Sequence, residues 1–157
     1  MTSGDLNTLF KQWLEEKLIQ PEKVSLRQIE KLLAQAGRDL RTAKANLAIA
    51  EEATYLFAYL GMLRTARALL FLYGVRPKGT AQHRTVIQVA GAILGKGFSD
   101  LIGRFEKMRK KRNELTYEIG GLLSHGDALK ALETAEQFVH SVSVELKKRN
   151  PQWEFKF

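Results

Sequence analysis

The sequence predicts an all-α protein, a single-domain helical bundle of five to six helices. Apolar residues recur with a helical period in most segments, and Pro and Gly stand where those segments end. No segment shows the apolar–polar alternation of a half-buried strand. With 157 residues, 45% of them apolar, the chain is long enough to enclose one core.

The predicted organisation has three parts: an N-terminal helix in residues 1–24, the bundle in residues 25–150, and a C-terminal tail in residues 151–157. The first helix is expected to end at Pro21, because proline interrupts a helix. Its apolar residues follow one helical stripe: Leu6, Leu9, Phe10, Trp13 and Leu14.

A long amphipathic helix is predicted next, from Ser25 to Ala50. Ser25 and Gln28 have the spacing of a capping box. The helix would be about 37 Å long at 1.5 Å per residue. Its heptads suit a bundle seam, a contact between two subunits or an intramolecular hairpin. They consist of Leu26, Leu33, Leu40 and Leu47, with Ile29, Ala36, Ala43 and Ala50 in the companion positions.

Residues 53–74 are apolar on nearly every side and predict a buried central helix, with Gly74 as its C-terminal stop. A membrane span has a similar length, but Arg64 and Arg67 near the middle would be costly in lipid. We therefore expect no membrane association. An internal carboxylate, such as Glu51 or Asp39, is the expected partner of these arginines. "VRPKGT", which follows, reads as a loop.

The C-terminal half predicts three more helices. The first covers "AQHRTVIQVAGAIL" and is broken by "GKGFS". The second begins at Asp100 and is ended by Gly120 and Gly121. Its apolar face is Leu101, Phe105, Met108, Arg112, Leu115 and Ile119. Ser124 is the expected cap of the last helix, which Pro151 closes. The predicted core face of that helix is Leu129, Leu132, Ala135, Val139, Val142 and Leu146.

The amino-acid composition excludes several kinds of chemistry. The chain has no cysteine, so disulfides, thiolate catalysis and cysteine-based zinc sites are ruled out. The three histidines are widely spaced and give no metal signature, and His140 reads as a structural residue. We expect neither a metal nor a cofactor. The first residues lack the basic and apolar regions of a signal peptide, so a cytoplasmic location is expected.

The positive charge is concentrated in the middle of the chain. Residues 53–112 contain twelve Lys or Arg and two acids, a net of +10, while the rest of the chain has a net of −2. A polyanionic partner would explain this distribution. The alternative is that the cations only keep the helices soluble.

The stretch "KKRNELTYEIGG", residues 110–121, raises the question of a site. Arg112 lies on the apolar stripe of its helix, where a cation needs a groove, an interface or a partner. One interpretation pairs Arg112 with an acid of the bundle and points the Tyr117 hydroxyl outward. The other makes Arg112, Asn113 and Tyr117 part of a binding site.

Two segments resemble the HEPN family of small α-helical proteins. "AYLGMLRTARALLFLYGVRPKGTAQHRTVI" is similar to the long core helix of the family, its "RP" loop and the histidine-containing segment after it. "RKKRNELTYEIGGLL" resembles the motif helix, in which an arginine and a polar residue precede a histidine by four to six residues. The resemblance covers about residues 26 to 149.

The resemblance implies a helical bundle that often dimerises, with the motif helices of two subunits facing each other. Active members cleave RNA without a metal, and many pair with a small nucleotidyltransferase in toxin–antitoxin modules. Arg112 and Asn113 match the motif, but the histidine position at four-residue spacing is Tyr117. At five and six residues it is Glu118 and Ile119. A tyrosine titrates near 10 rather than 6.5, which disfavours acid–base catalysis at neutral pH.

Three functional hypotheses follow. The first is a protein without catalytic activity that binds RNA, a nucleotide or a nucleotidyltransferase through the basic cleft of a homodimer. The second is a metal-independent endoribonuclease in which Tyr117 replaces the histidine, and the third is a purely structural helical dimer. The predicted catalytic positions are Arg112, Asn113 and Tyr117. The predicted anion-binding residues are Arg76, Lys78, His83, Arg84, Arg109, Lys110 and Lys111.

Overall fold

The computed structural model describes residues 3–117 and 122–151 and confirms the predicted, mostly helical fold. The described residues form six α-helices, two three-residue strands and a 3₁₀ turn at Lys96–Phe98. The helices are α1 (Ser3–Glu15), α2 (Leu26–Asn46), α3 (Glu51–Leu72), α4 (Gln82–Leu94), α5 (Ser99–Tyr117) and α6 (His125–Arg149). The strands are β1 (Ile19–Pro21) and β2 (Val75–Pro77).

α3 is the central helix, as its composition predicted. It packs against α2, α4, α5 and α6, and buried residues occur on all its sides. By length and composition α3 could cross a membrane, but most of its apolar stretch is buried inside the molecule. It is therefore the core helix of the bundle. Gly74, two residues after its end, has a positive φ of 76°, the backbone conformation that glycine adopts readily.

α2 and α3 form a helical hairpin, which accounts for the heptads of α2. The predicted capping box is present: Ser25 Oγ accepts from the Gln28 N–H at 3.2 Å, and Gln28 Oε1 accepts from the Ser25 N–H at 2.9 Å. α2 ends at Asn46, four residues earlier than predicted, because the chain must turn before α3 begins. The turn is held by Thr54, whose hydroxyl donates to the Ala43 carbonyl at 2.7 Å.

Close packing of the hairpin depends on a glycine of α3. A Cβ added at Gly61 would lie 3.1 Å from Leu40 Cδ2 and 3.3 Å from the Ala36 carbonyl oxygen. The backbones of α2 and α3 can approach this closely because Gly61 has no side chain.

Two short strands are present although the sequence shows no strand-like alternation, and the assignment of "VRPKGT" entirely to a loop was wrong. Ile19–Pro21 pairs antiparallel with Val75–Pro77, and Ile19 is opposite Pro77. Each strand has only three residues, too few for a recognisable alternation. The pairing also explains why α1 ends at Glu15 rather than at Pro21, since the residues after α1 lead into β1.

The predicted core face of α6 was wrong at one position and incomplete at another. Leu129 is 38% exposed, whereas Phe138, which the prediction omitted, is fully buried. Phe138 packs edge-to-face on Phe105 of α5 at 5.2 Å between ring centroids, and Phe105 packs on Tyr59 of α3 at 5.7 Å. These three rings join α3, α5 and α6. Ser124 caps α6 as predicted, while Gly120, Gly121 and Ile119 lie outside the described residues.

Arg64 pairs with Asp39, one of the two acids that were expected as its partner. The Arg64 guanidinium donates to both carboxylate oxygens of Asp39 at 2.7 Å. Asp39 is only 5% exposed, and burial raises the pKa of its carboxyl group, an effect that Arg64 partly offsets. For Arg67 the corresponding prediction is not met, because no carboxylate pairs with it in the described ranges.

We predict that Asp39→Ala lowers the free energy of unfolding by about 2 kcal/mol, because it leaves a half-buried guanidinium without its counter-charge. Urea denaturation measures the change. Asp100→Ala is the matched control: it breaks the exposed Arg104–Asp100 pair and should cost less than about 1 kcal/mol. Equal effects of the two substitutions would contradict a structural role for the Asp39–Arg64 pair.

Candidate anion-binding site

Arg112 lies near the end of α5 and is half-buried, as its place on the apolar stripe predicted. Its guanidinium donates to the Asn113 side-chain oxygen at 3.2 Å and lies 5.8 Å from the centroid of the Tyr117 ring. Within residues 3–117 and 122–151, no carboxylate forms an ion pair with Arg112. The interpretation that Arg112 is neutralised by an acid of the bundle therefore has no support in the described structure.

His83, in the first turn of α4, faces the same region. Its Nδ1 is 2.9 Å from the Tyr59 hydroxyl, and the two rings are 5.8 Å apart between centroids. Burial lowers the pKa of His83, and the positive charges of Arg112, Arg67 and Arg109 lower it further. The imidazole is therefore held in its neutral form at physiological pH.

Arg112 and His83 belong to a group that we call the arginine cluster. Its other members are Arg67 of α3, Arg84 of α4 and Arg109 of α5. Arg109 donates to both oxygens of Glu106, at 2.6 and 2.9 Å. These hydrogen bonds lower the pKa of Glu106, and the charge of Arg84 lowers it slightly more. Glu106 therefore neutralises Arg109, and the cluster keeps an excess of positive charge.

Tyr59 is the buried floor of the arginine cluster. Burial raises the pKa of its hydroxyl strongly, although the neighbouring Arg112 and Arg109 act in the opposite direction. The phenol therefore stays protonated and can hold the His83 ring in place. Sequence reasoning missed Tyr59 because it is one of many aromatic and apolar residues in α3. The sequence did predict that Arg67, in the same helix, needs a partner, and that expectation was the available signal for a polar site here.

The structure separates the three consecutive cations of α5. At about 100° per residue, Arg109 and Lys111 lie on opposite flanks of Arg112. Arg109 faces the cluster, Lys110 is exposed, and Lys111 donates to the Leu122 carbonyl at 2.6 Å and approaches Glu114 at 3.6 Å. These three predicted anion-binding residues therefore do not share one surface.

Arg76 and Lys78 are not joined to the arginine cluster by any contact within the described residues. Arg76 belongs to β2 and lies 3.8 Å from Glu22, and the backbone N–H of Lys78 donates to the Leu18 carbonyl. Among the predicted anion-binding residues, those brought together are His83, Arg84 and Arg109, beside Arg112 of the predicted motif.

Tyr117, the residue in the histidine position, is 75% exposed. Its hydroxyl has no hydrogen-bond partner in the part of the chain that the structure describes. Glu118, at the five-residue spacing, lies outside that part. The described residues also contain no group of three or more His, Cys, Asp or Glu side chains placed to hold a metal ion.

Comparison with known proteins identifies the protein family. The family model of the HEPN domain matches residues 29–147, which is about three quarters of the chain. The protein therefore belongs to the HEPN domain family. The match includes all of α3, α4 and α5, and hence every residue of the arginine cluster. A search of curated proteins gives no match.

We predict a pH-dependent contribution of His83 to stability. Because its folded-state pKa lies below the ordinary value of 6.5, the unfolded chain binds the proton more readily. This contribution is therefore fully present above pH 6.5 and is lost as the pH falls towards the folded-state pKa. His83→Gln should reduce the loss of stability between pH 7 and pH 5, as measured by urea denaturation.

The control for this experiment is His140→Gln on the exposed face of α6, which should leave the pH dependence unchanged. A wild-type profile that coincides with that of His83→Gln would show that His83 is not held neutral by its surroundings.

Proposed function

We propose that this HEPN protein binds the phosphates of single-stranded RNA through the arginine cluster and does not cleave the RNA. The observation that carries the proposal is the state of Arg112, which is half-buried and has no carboxylate partner in the described structure. A guanidinium offers phosphate two parallel hydrogen bonds. A bound phosphate would supply the missing counter-charge.

Tyr117 supports RNA rather than a simple anion. Its exposed ring stands beside Arg112, and proteins that bind single strands combine cations for the backbone with aromatic rings on which bases stack. Asn113 adds a neutral hydrogen-bonding group. Tyr117 therefore has a role in binding that does not require it to transfer a proton.

The presence of a tyrosine, rather than a histidine, at position 117 argues against cleavage. A phenol is a weak proton acceptor at neutral pH, and losing a positioned acid–base group typically costs about 10²–10⁴ in rate. The Tyr117 hydroxyl is exposed and forms no hydrogen bond with any described residue, so no described group is placed to take its proton.

We predict that Arg84→Gln/Arg112→Gln weakens binding of single-stranded RNA and flattens its salt dependence. Each phosphate contact contributes a slope of about −0.7 in log affinity against log salt, so two lost contacts change the slope by about 1.4 units. Fluorescence anisotropy over a range of salt concentrations gives the slope.

The matched control is Arg38→Gln/Lys44→Gln, which removes the same charge from exposed positions of α2. It should change the salt slope far less. Equal effects of the two double variants would indicate binding by net charge alone and would contradict a defined site.

A second candidate function is metal-independent RNA cleavage with His83, rather than Tyr117, as the proton acceptor. The observation that favours it is the neutral imidazole of His83 beside three arginines. If Nδ1–H donates to Tyr59, Nε2 is free to take the proton of a ribose 2′-hydroxyl. The 2′-oxygen would then form a bond to phosphorus as the bond to the 5′-oxygen breaks, and the departing 5′-oxygen would take a proton from water. Cleavage that persists with chelator and is lost in His83→Gln would replace the binding-only proposal with this one.

We also predict a homodimer in which the Arg112–Tyr117 segments lie near the two-fold axis. Tyr117 stands beside Arg112 and is 75% exposed, and Leu122 is 84% exposed; contiguous exposed apolar surface marks an interaction site. Light scattering at tens of micromolar should give twice the 17.8 kDa mass of the chain. A monomer mass would contradict this prediction.

A nucleotidyltransferase partner is a further proposal, which co-purification of such an enzyme would test.

A further inference from the structure

A groove of about 590 Å³ lies between α1 and the C-terminal part of α4, and we call it the α1–α4 groove. Leu6 and Phe10 of α1 line one side, and Ala92 and Ile93 of α4 line the other. Arg149, the last residue of α6, also lines it. None of its lining residues belongs to the arginine cluster, so the groove is a separate feature of the molecule.

The apolar stripe of α1 is only partly covered by the bundle. Trp13 is 5% exposed, but Leu6, Leu9 and Phe10 are only half-buried. Phe10 packs edge-to-face on Tyr73 at 6.3 Å between ring centroids. A helix of 13 residues is marginal by itself in water, so α1 depends on packing for its stability. The groove is the place where that packing is incomplete.

The charged groups of the groove leave one cation available. The Arg149 guanidinium donates to the Tyr73 hydroxyl at 2.8 Å and to the Ile93 carbonyl at 2.9 Å, and its Nε donates to Glu145 at 2.8 Å. Arg149 is therefore already neutralised. Lys96, which also lines the groove, is exposed and forms no ion pair with any described residue. A fitting occupant is apolar and carries a negative charge for Lys96.

The chain itself supplies such an occupant next to the groove. After Pro151 it continues with "QWEFKF", residues 152–157, which lie outside the described residues and which we call the C-terminal segment. Three of its six residues are large aromatics, and Glu154 and Lys156 stand between them. Six residues reach at most about 20 Å. That reach is sufficient, because Arg149, only two residues before Pro151, already lines the groove.

We propose that the C-terminal segment docks into the α1–α4 groove of its own chain, with the Trp153 ring between Phe10 and Ala92. Glu154 then pairs with Lys96. Docking removes apolar surface of both the segment and α1 from water, which is favourable. The short connection to α6 keeps the entropic cost of closing the loop small.

Docking would make the C-terminal segment a strap that holds α1 against the ends of α4 and α6. Both α1 and the segment lie outside residues 29–147, which the HEPN model matches. The strap is therefore a feature of this chain that the matched domain does not contain. It is independent of RNA binding, since no residue of the arginine cluster lines the groove.

The fluorescence of Trp153 tests the proposal in the full-length variant Trp13→Phe, which leaves Trp153 as the only tryptophan. We expect emission at a shorter wavelength than in the urea-denatured protein, together with protection from quenching by acrylamide, because the docked ring leaves water. Emission at the wavelength of the denatured protein, with quenching as efficient as that of N-acetyltryptophanamide, would overturn the proposal.

Ala92→Arg, in the same background, places a long side chain in the groove and should displace the segment, so that the Trp153 emission moves to the denatured wavelength. Ala45→Arg, the matched control at an exposed position of α2, should leave the emission unchanged. Equal effects of these two substitutions would contradict docking in the groove.

A charge exchange tests the ion pair. Glu154→Lys should weaken docking about fivefold, as expected for the loss of an exposed ion pair, and Lys96→Glu in the same chain should restore it. Failure of the double variant to recover the Trp153 emission would overturn the assignment of Lys96 as the partner of Glu154.

A second measurement does not depend on the folding of Trp13→Phe. With p-benzoylphenylalanine in place of Trp153 and Trp13 retained, irradiation should crosslink the segment to α1 or to the end of α4, as located by peptide mass spectrometry. A mixture of isotope-labelled and unlabelled protein distinguishes crosslinks within one chain from those between two. Crosslinks to other helices, or between chains, would overturn the proposal.

Discussion

The burial of α3 on every side sets the arrangement of the other helices. A 22-residue helix with no polar face must be covered all round, and α2, α4, α5 and α6 provide that cover. The few polar groups of α3 then have to be satisfied between helices. Arg64 reaches Asp39, and Tyr59 reaches His83. Each of these polar groups thus has one member on the central helix.

α5 divides the basic surface of the molecule in two. The side of this helix that faces the core is fixed by Phe105 and Met108, which are buried, and by Arg112, which continues the same stripe. Once that side is fixed, helical periodicity directs Arg109 towards α4 and Lys107 towards α6. One helix therefore supplies cations both to the arginine cluster and to a groove between α5 and α6, which Lys130 of α6 also lines.

Membership of the HEPN family explains the architecture but does not by itself define the chemistry of this chain. Arg112 stands at the predicted position of the motif arginine, whereas the predicted position of the motif histidine holds Tyr117, which is exposed. A histidine is nevertheless close to the cluster, supplied by α4 rather than by α5. Its hydrogen bond to a buried tyrosine and its arginine neighbours give it a defined orientation and a neutral charge state. The two candidate functions differ in the role of this imidazole: in the cleavage candidate it accepts a proton, and in the binding-only proposal it does not.

From the sequence alone we could predict the helical class, the order of the helices, the capping box at Ser25, the cap at Ser124 and the central place of α3. These features depend on local spacing and on apolar periodicity, which are written along the chain. It also indicated that Arg112 lies on an apolar stripe and that Arg64 needs an internal acid.

Contacts between residues that are far apart in the sequence depend on how the helices pack. Tyr59 and His83 are 24 residues apart, and Lys107 and Lys130 lie on different helices, so no local pattern could relate them. The three-residue strands escaped prediction because their stability comes from pairing across more than fifty residues of chain. Phe138 was missed because its burial depends on where Phe105 lies. Helix packing fixes these contacts, and the angle at which two helices meet is a property of the assembled core rather than of either segment.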